Sequence, residues 1–203
     1  MAHITTEKEL RQVYKTPKGR SLAKQMSKLE KHSKRFIKLS PFLVLSSTGP
    51  DGLGDTTPRG GEPGFVHVLD DNTIAVPDRP GNNRLDTLTN LLTHPGVGLI
   101  FFIPGVNETL RINGKAEIHT DLGLLTRFEM RGKLPASVLV VRINEVYLHC
   151  AKALMRSEFW SPDAQADKRP IPTIAQMIND QSGVDMELET DEDMRVRYAQ
   201  QLY

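Results

Sequence analysis

Cysteine is nearly missing: Cys150 is the single one in 203 residues, so no internal disulfide can form. A chain without disulfides suits a reducing compartment, and a cytoplasmic location is the expectation. No apolar run reaches the ~18 residues of a membrane span. The N-terminus, MAHITTEKELRQ, turns polar too soon for a signal core. Catalytic signatures are missing too. There is no G-x-x-x-x-G-K-[ST], no G-x-G-x-x-G after a strand and no G-x-S-x-G, which argues against P-loop, dinucleotide and α/β-hydrolase sites. His67, His94 and His119 are scattered without ligand spacing. His149 and Cys150, adjacent in a strand, would point to opposite faces and share no metal.

What is present fits a globular chain, with 38% hydrophobic and 25% charged residues. The length allows one domain with a proper core plus helical appendages. The expected division is an N-terminal helical segment (1–40), a β domain (41–160) and a C-terminal helical extension (161–203) that packs on the β domain or on a partner chain. Net charge is only +1 but uneven: residues 1–40 carry eleven Lys and Arg against Glu7, Glu9 and Glu30, whereas 179–203 carry seven acids against Arg195 and Arg197. The basic segment lacks interleaved aromatics. A solvated helix face, attracted to the acidic tail of the same or a partner chain, is therefore preferred over nucleic-acid binding.

Residues 7–39 read as helix, broken near Thr16-Pro17-Lys18-Gly19, with Leu22, Met26, Leu29, Phe36 and Ile37 near helical spacing. Ser40-Pro41 ends it, since the residue before proline is pushed out of the helical region. Phe42–Leu45 is a strand, and the turn at 48–52 suggests an antiparallel return towards Asp55–Pro58. Phe65–Leu69 and Thr73–Pro77 flank the hairpin loop Asp70-Asp71-Asn72. From Asn82 the period becomes helical, with Leu85, Leu88, Leu91 and Leu92 on one face, Thr87 and Asn90 away from it, and Asn82 or Asn83 as N-cap. Val97–Ile103 is a buried strand. Thr109–Ile118 alternates, with Leu110, Ile112, Ala116 and Ile118 on one face and Thr109, Arg111 and Asn113 on the other. Asp121–Arg131 is a short helix, and Ser137–Cys150 holds a long strand bent before Val146. About six strands with few long helices between them predict an antiparallel barrel with peripheral helices.

Three arginines are expected to converge on one anion site. Arg59 lies in a Pro-Arg-Gly-Gly corner where the backbone can approach a ligand closely. Arg84 follows Gly81-Asn82-Asn83 in the first turn of the expected helix, where free N–H groups favour an anion. Arg111 lies on a strand's polar face. A guanidinium is a permanently charged planar fork suited to phosphate oxygens. No obvious nucleophile or acid–base pair accompanies them, as expected when a cofactor carries the chemistry.

The stretches SPFLVL (40–45), PRGGEPGFV (58–66), PDRPGNNRLD (77–86), PGVNETLRINGKAE (104–117) and HCAKALMRSEFW (149–160) resemble the pyridoxamine 5′-phosphate oxidase-related FMN-binding proteins, over roughly residues 25–180. The resemblance implies an FMN-binding split β-barrel, mainly β with peripheral helices, forming a homodimer with FMN at the subunit interface. It places phosphate contacts on Thr57, Pro58, Arg59 and Gly60, a backbone stretch along the flavin on Pro77 and Asp78, and a further phosphate element on Asn82, Asn83 and Arg84. Of that element only Arg84 keeps the positive charge of the oxidases. Thr109 stands where they have a ring-touching glutamine, with Arg111 two residues on. Their C-terminal substrate motif is not recognisable, which argues against pyridoxamine phosphate oxidation itself. Lys152, Arg156, Ser157 and Trp160 stand in its place, and Arg156 and Trp160 are candidates for substrate contact or ring stacking. The function implied is an FMN-dependent oxidoreductase acting on a small molecule. The alternative is a flavin-binding sensor, store or carrier.

Overall fold

The computed structural model describes residues 3–166, 169–185 and 187–201. Seven strands form one antiparallel sheet: β1 (Phe42–Thr48), β2 (Gly54–Gly60), β3 (His67–Asp70), β4 (Thr73–Asp78), β5 (Gly96–Phe102), β6 (Thr109–His119) and β7 (Ser137–His149). Their order is β2-β1-β5-β6-β7-β4-β3. The antiparallel return expected towards Asp55–Pro58 is β2, which pairs Pro58 with Val44 and runs on through Arg59, expected in a corner but paired with Leu43. Proline is tolerated there because β2 is an edge strand, with one side free of ladder bonds.

Strand alternation sets the core. Leu43, Leu45, Leu99, Phe101, Leu110 and Ile112 are buried at every second position of β1, β5 and β6. They pack with Ile74 and Val76 of β4 and with Leu139 and Val141 of β7. β4 is buried along its whole length because its second face is covered as well. There Ala75, Val138 and Val140 pack against Phe128, which a short helix α5 (Leu122–Leu125) and the 3-10 turn Thr126–Phe128 carry. The fold is a split β-barrel, mainly β with helices at its periphery. Its edge strands β2 and β3 do not pair, but the sheet curls far enough for Arg59 of β2 to meet Asp78 at the end of β4.

The helices correct several expectations. The N-terminal stretch gives α1 (Glu7–Val13), a single turn α2 (Arg20–Ala23) and α3 (Lys31–Leu39), not two long helices. Met26 and Leu29 lie between α2 and α3 because the sheet captures their backbone: Met26 bridges Val146, and Leu29 N–H donates to Asp71 O at 2.7 Å. Glu30 then caps α3, accepting from the N–H groups of His32 and Ser33, and α3 buries Phe36 and Ile37. Helix α4 (Asp86–Thr93) begins after Arg84, so neither Asn82 nor Asn83 caps it. The other helices are α6 (Lys152–Arg156), α7 (Ile174–Ser182) and α8 (Asp191–Gln201). No helix among the described residues is long and apolar enough to cross a membrane.

Candidate functional site

A cavity of about 530 Å³ opens where β2, the end of β4, the following loop and α4 converge. From β2 it takes Asp55, Thr57 and Arg59, which alternation points to one side, and Thr56 between them also lines it. From the end of β4 it takes Asp78, and from the chain that follows, residues 79–88, including Asn82, Asn83 and Arg84. Two non-glycine residues of that loop adopt left-handed backbone, Asn83 at φ 58° and Leu85 at φ 60°. Asparagine tolerates this conformation; leucine does so at a cost and only where its surroundings hold it. Asn82 Oδ1 accepts from Arg84 N–H at 3.1 Å and fixes the turn.

Arg59 donates through Nη1 to Asp78 Oδ1, and both side chains are mostly buried. Its Nε is buried with no hydrogen-bond partner among the described residues. Such a donor is costly to leave unmatched, which makes it a ready contact for an incoming oxyanion. Arg84 reaches the cavity from an exposed position, its Nε donating to Asp86 Oδ2 at 2.8 Å. Helix α4 has no side-chain cap, so the N–H groups of its first turn stay available at the cavity wall.

A buried polar chain fastens α4 to the barrel. Asn90 Nδ2 donates to Ser47 Oγ at 3.0 Å, while Ser47 and Thr87 both donate to Asp55 Oδ2, at 3.3 and 3.2 Å. The sequence pattern turns Thr87 and Asn90 away from the leucine face. In the structure they are buried, whereas Leu85 and Leu92 are exposed, because α4 rests on a polar strip of β1 and β2. The signal that could have found this chain is Ser47 and Asp55, polar residues at inward positions of adjacent strands. Asn90→Ala, which leaves Ser47 Oγ without its donor, should cost about 1–2 kcal/mol of stability. Thermal unfolding checks this, and an unchanged melting temperature would refute it.

Within one chain Arg111 does not line this cavity, so of the three arginines expected to converge only Arg59 and Arg84 meet there. Leu110 and Ile112 claim the inner face of β6, so alternation sends Arg111 outward. It lines a separate groove of about 320 Å³ with Ser46, Thr56, Gly98, Asn113 and His149. Arg111 and Lys24 lie 5.0 and 5.2 Å from the ring centre of Tyr147. His149 Nδ1 is buried there without a partner among the described residues. Burial first, then the charges of Lys24 and Arg111, push His149 below the ordinary imidazole value. Thr109 is buried, its hydroxyl unpartnered among the described residues. Pro58, Gly60, Pro77 and Thr109 are not among the residues that line the 530 Å³ cavity. Trp160 donates from Nε1 to Val106 O at 2.9 Å and stands edge-on to Phe159, and Arg156 is exposed on α6; neither lines that cavity. Among the described residues no group of three or more His, Cys, Asp or Glu could hold a metal ion.

A split barrel with an arginine-walled cavity at its open seam defines the class. The sequence profile of pyridoxamine 5'-phosphate oxidase matches residues 29–150, and the chain belongs to that family. No curated protein matches it by sequence. Among solved structures, HupZ of Group A Streptococcus is 14% identical at TM-score 0.48, covering 59% of this chain and 93% of its own. An FMN-binding protein from Syntrophomonas wolfei is 14% identical at TM-score 0.45, covering 57% and 80%. A protein related to general stress protein 26, from Clostridium acetobutylicum, is 11% identical at TM-score 0.45, covering 58% and 85%. No residue role passes from them to this chain.

Proposed function

We propose that the chain binds FMN in the Arg59–Arg84 cavity and acts as an FMN-dependent oxidoreductase on a small molecule. The observation that carries this reading is the meeting of Arg59, with its unmatched buried Nε, and Arg84 at one cavity of about 530 Å³. That volume lies within the roughly 300–1,000 Å³ of small-molecule sites. The residues fit the cofactor. Arg59, Arg84 and the first-turn N–H groups of α4 suit a phosphate monoester, and Asn82, Asn83 and Thr57 add polar contacts. Asp78 holds the Arg59 fork in place. Bound FMN supplies hydride and single-electron chemistry that no side chain of the cavity offers.

The same proposal includes a homodimer that completes the site. Its support is the outer sheet face, where the rings of Phe42 and Phe102 lie 6.0 Å apart and Phe42 is 40% exposed. A sedimentation mass of one chain for the FMN-loaded protein would remove the dimer from the proposal. The cytoplasm is the proposed compartment, supported by the free, exposed Cys150.

Added FMN should bind and give a flavin absorption spectrum that bleaches with NADH or NADPH and returns in air. Bleaching without turnover of any tested acceptor, oxygen included, would favour the sensor, store or carrier. Absence of FMN uptake would end the proposal in both forms.

A further inference from the structure

A second groove, of about 370 Å³, shares no lining residue with the Arg59–Arg84 cavity. It runs between α3, the segment entering β3, and the 3-10 turn that follows α5. Its floor is apolar: Ile37 and Val66 are 1% and 3% exposed, and Val68 is half-buried beside them. At one end the backbone presses close to α3. A Cβ on Gly64, which sits at φ +86°, would lie 3.1 Å from Lys38 O.

The rim is cationic and only partly compensated. No carboxylate lines the groove. The ammonium of Lys34 is matched by Asp71 at 2.5 Å, but Lys38 and Arg127 form no ion pair among the described residues. His67 stands between floor and rim, its ring stacked on Phe128 with centroids 4.1 Å apart and planes 21° apart. Burial first, then the charge of Arg127, lowers its proton affinity below the ordinary value. A neutral imidazole offers one donor and one acceptor. Neither ring nitrogen has a hydrogen-bond partner among the described residues.

We infer that this groove binds a small organic anion, a carboxylate on a flat apolar body, distinct from the flavin site. The apolar floor takes the body, and Lys38 and Arg127 take the charge. Arginine's planar fork matches a carboxylate with two parallel hydrogen bonds, and His67 adds a polar contact beside it. An inorganic oxyanion would leave the floor unused. An uncharged ring would leave the two cations unmatched.

The test titrates the full-length protein, saturated with FMN where it takes FMN up, with 2-naphthoate. Calorimetry and amide chemical shifts report binding, and 2-naphthamide and inorganic phosphate serve as comparators. Saturable binding is expected, with shifts centred on residues 64–68. Lys38→Gln and Arg127→Gln, both at exposed positions, should each weaken it tenfold or more. Lys115→Gln, which removes an exposed cation of β6 outside the groove, leaves it unchanged. The inference is overturned if shifts lie elsewhere or if both groove variants bind as the parent does. Naphthamide binding as tightly removes the anion, and phosphate binding as tightly removes the apolar body. Failure to take up FMN would overturn the proposed function and leave this titration intact.

Discussion

Arg59→Ala should weaken FMN binding by roughly 10- to 150-fold, the loss of a charge-assisted contact of about 1.5–3 kcal/mol. The same change removes the partner of Asp78, which is only 8% exposed. Leaving a buried carboxylate unpaired should cost the fold about 3 kcal/mol in addition. The two effects separate in the double variant Arg59→Ala/Asp78→Asn, where the stranded charge is gone but the guanidinium is still missing. Stability should recover in part and FMN affinity should not. Denaturant unfolding gives the first quantity, and flavin fluorescence titration the second. If folded Arg59→Ala binds FMN as the parent does, Arg59 is no part of the site.

Gly114→Ala should be among the most destabilising single changes in the barrel. At Asn113–Gly114 the β6–β7 register shifts, so that Asn113 faces Glu145 while Gly114 faces Ile143. A Cβ on Gly114 would stand 2.2 Å from Arg142 O and 3.1 Å from Val141 Cγ1. The nearest of these atoms is backbone in a paired strand and cannot swing aside, unlike the tip of a flexible side chain. Overpacking in a tight interior costs about 1–3 kcal/mol, and the backbone clash puts this case at the upper end, near 3 kcal/mol. At roughly 2–4 °C per kcal/mol for a domain of this size, the melting temperature should fall by about 6–12 °C. Gly98→Ala makes a useful control, because its added Cβ would first meet the Ser46 hydroxyl, a group that can rotate. A melting temperature for Gly114→Ala equal to the parent's would contradict the account.

Strands are legible in the sequence where one face is apolar and the other polar. Leu110, Ile112 and Ala116 against Arg111 and Asn113 mark both β6 and its inward side. The register shift opposite Asn144 matches the bend expected before Val146. Helices are less legible because tertiary contacts override local spacing. Met26 keeps helical spacing with Leu22 yet gives its backbone to Val146. Thr87 and Asn90 look like solvent-facing residues until Ser47 and Asp55 arrive from strands far upstream.

The candidate site is legible in part for the same reason. Arg59, Asp78, Asn82, Asn83 and Arg84 do meet at one cavity, because the curl of the sheet brings β2 and the end of β4 together. Residue type alone groups Arg111 with them, and strand parity separates it. The orphan Nε of Arg59 and the groove around His67 depend on burial, which pattern reading does not supply.

Pro58 also guards the margin of the sheet. It sits mid-way along β2, one of the two outermost strands of the sheet, where a foreign extended peptide would otherwise find a row of free amide hydrogens. Its ring withholds one of them, and the charged neighbours Asp55 and Arg59 discourage a dry seam. Side-by-side stacking of further strands on the β2 edge is thereby disfavoured.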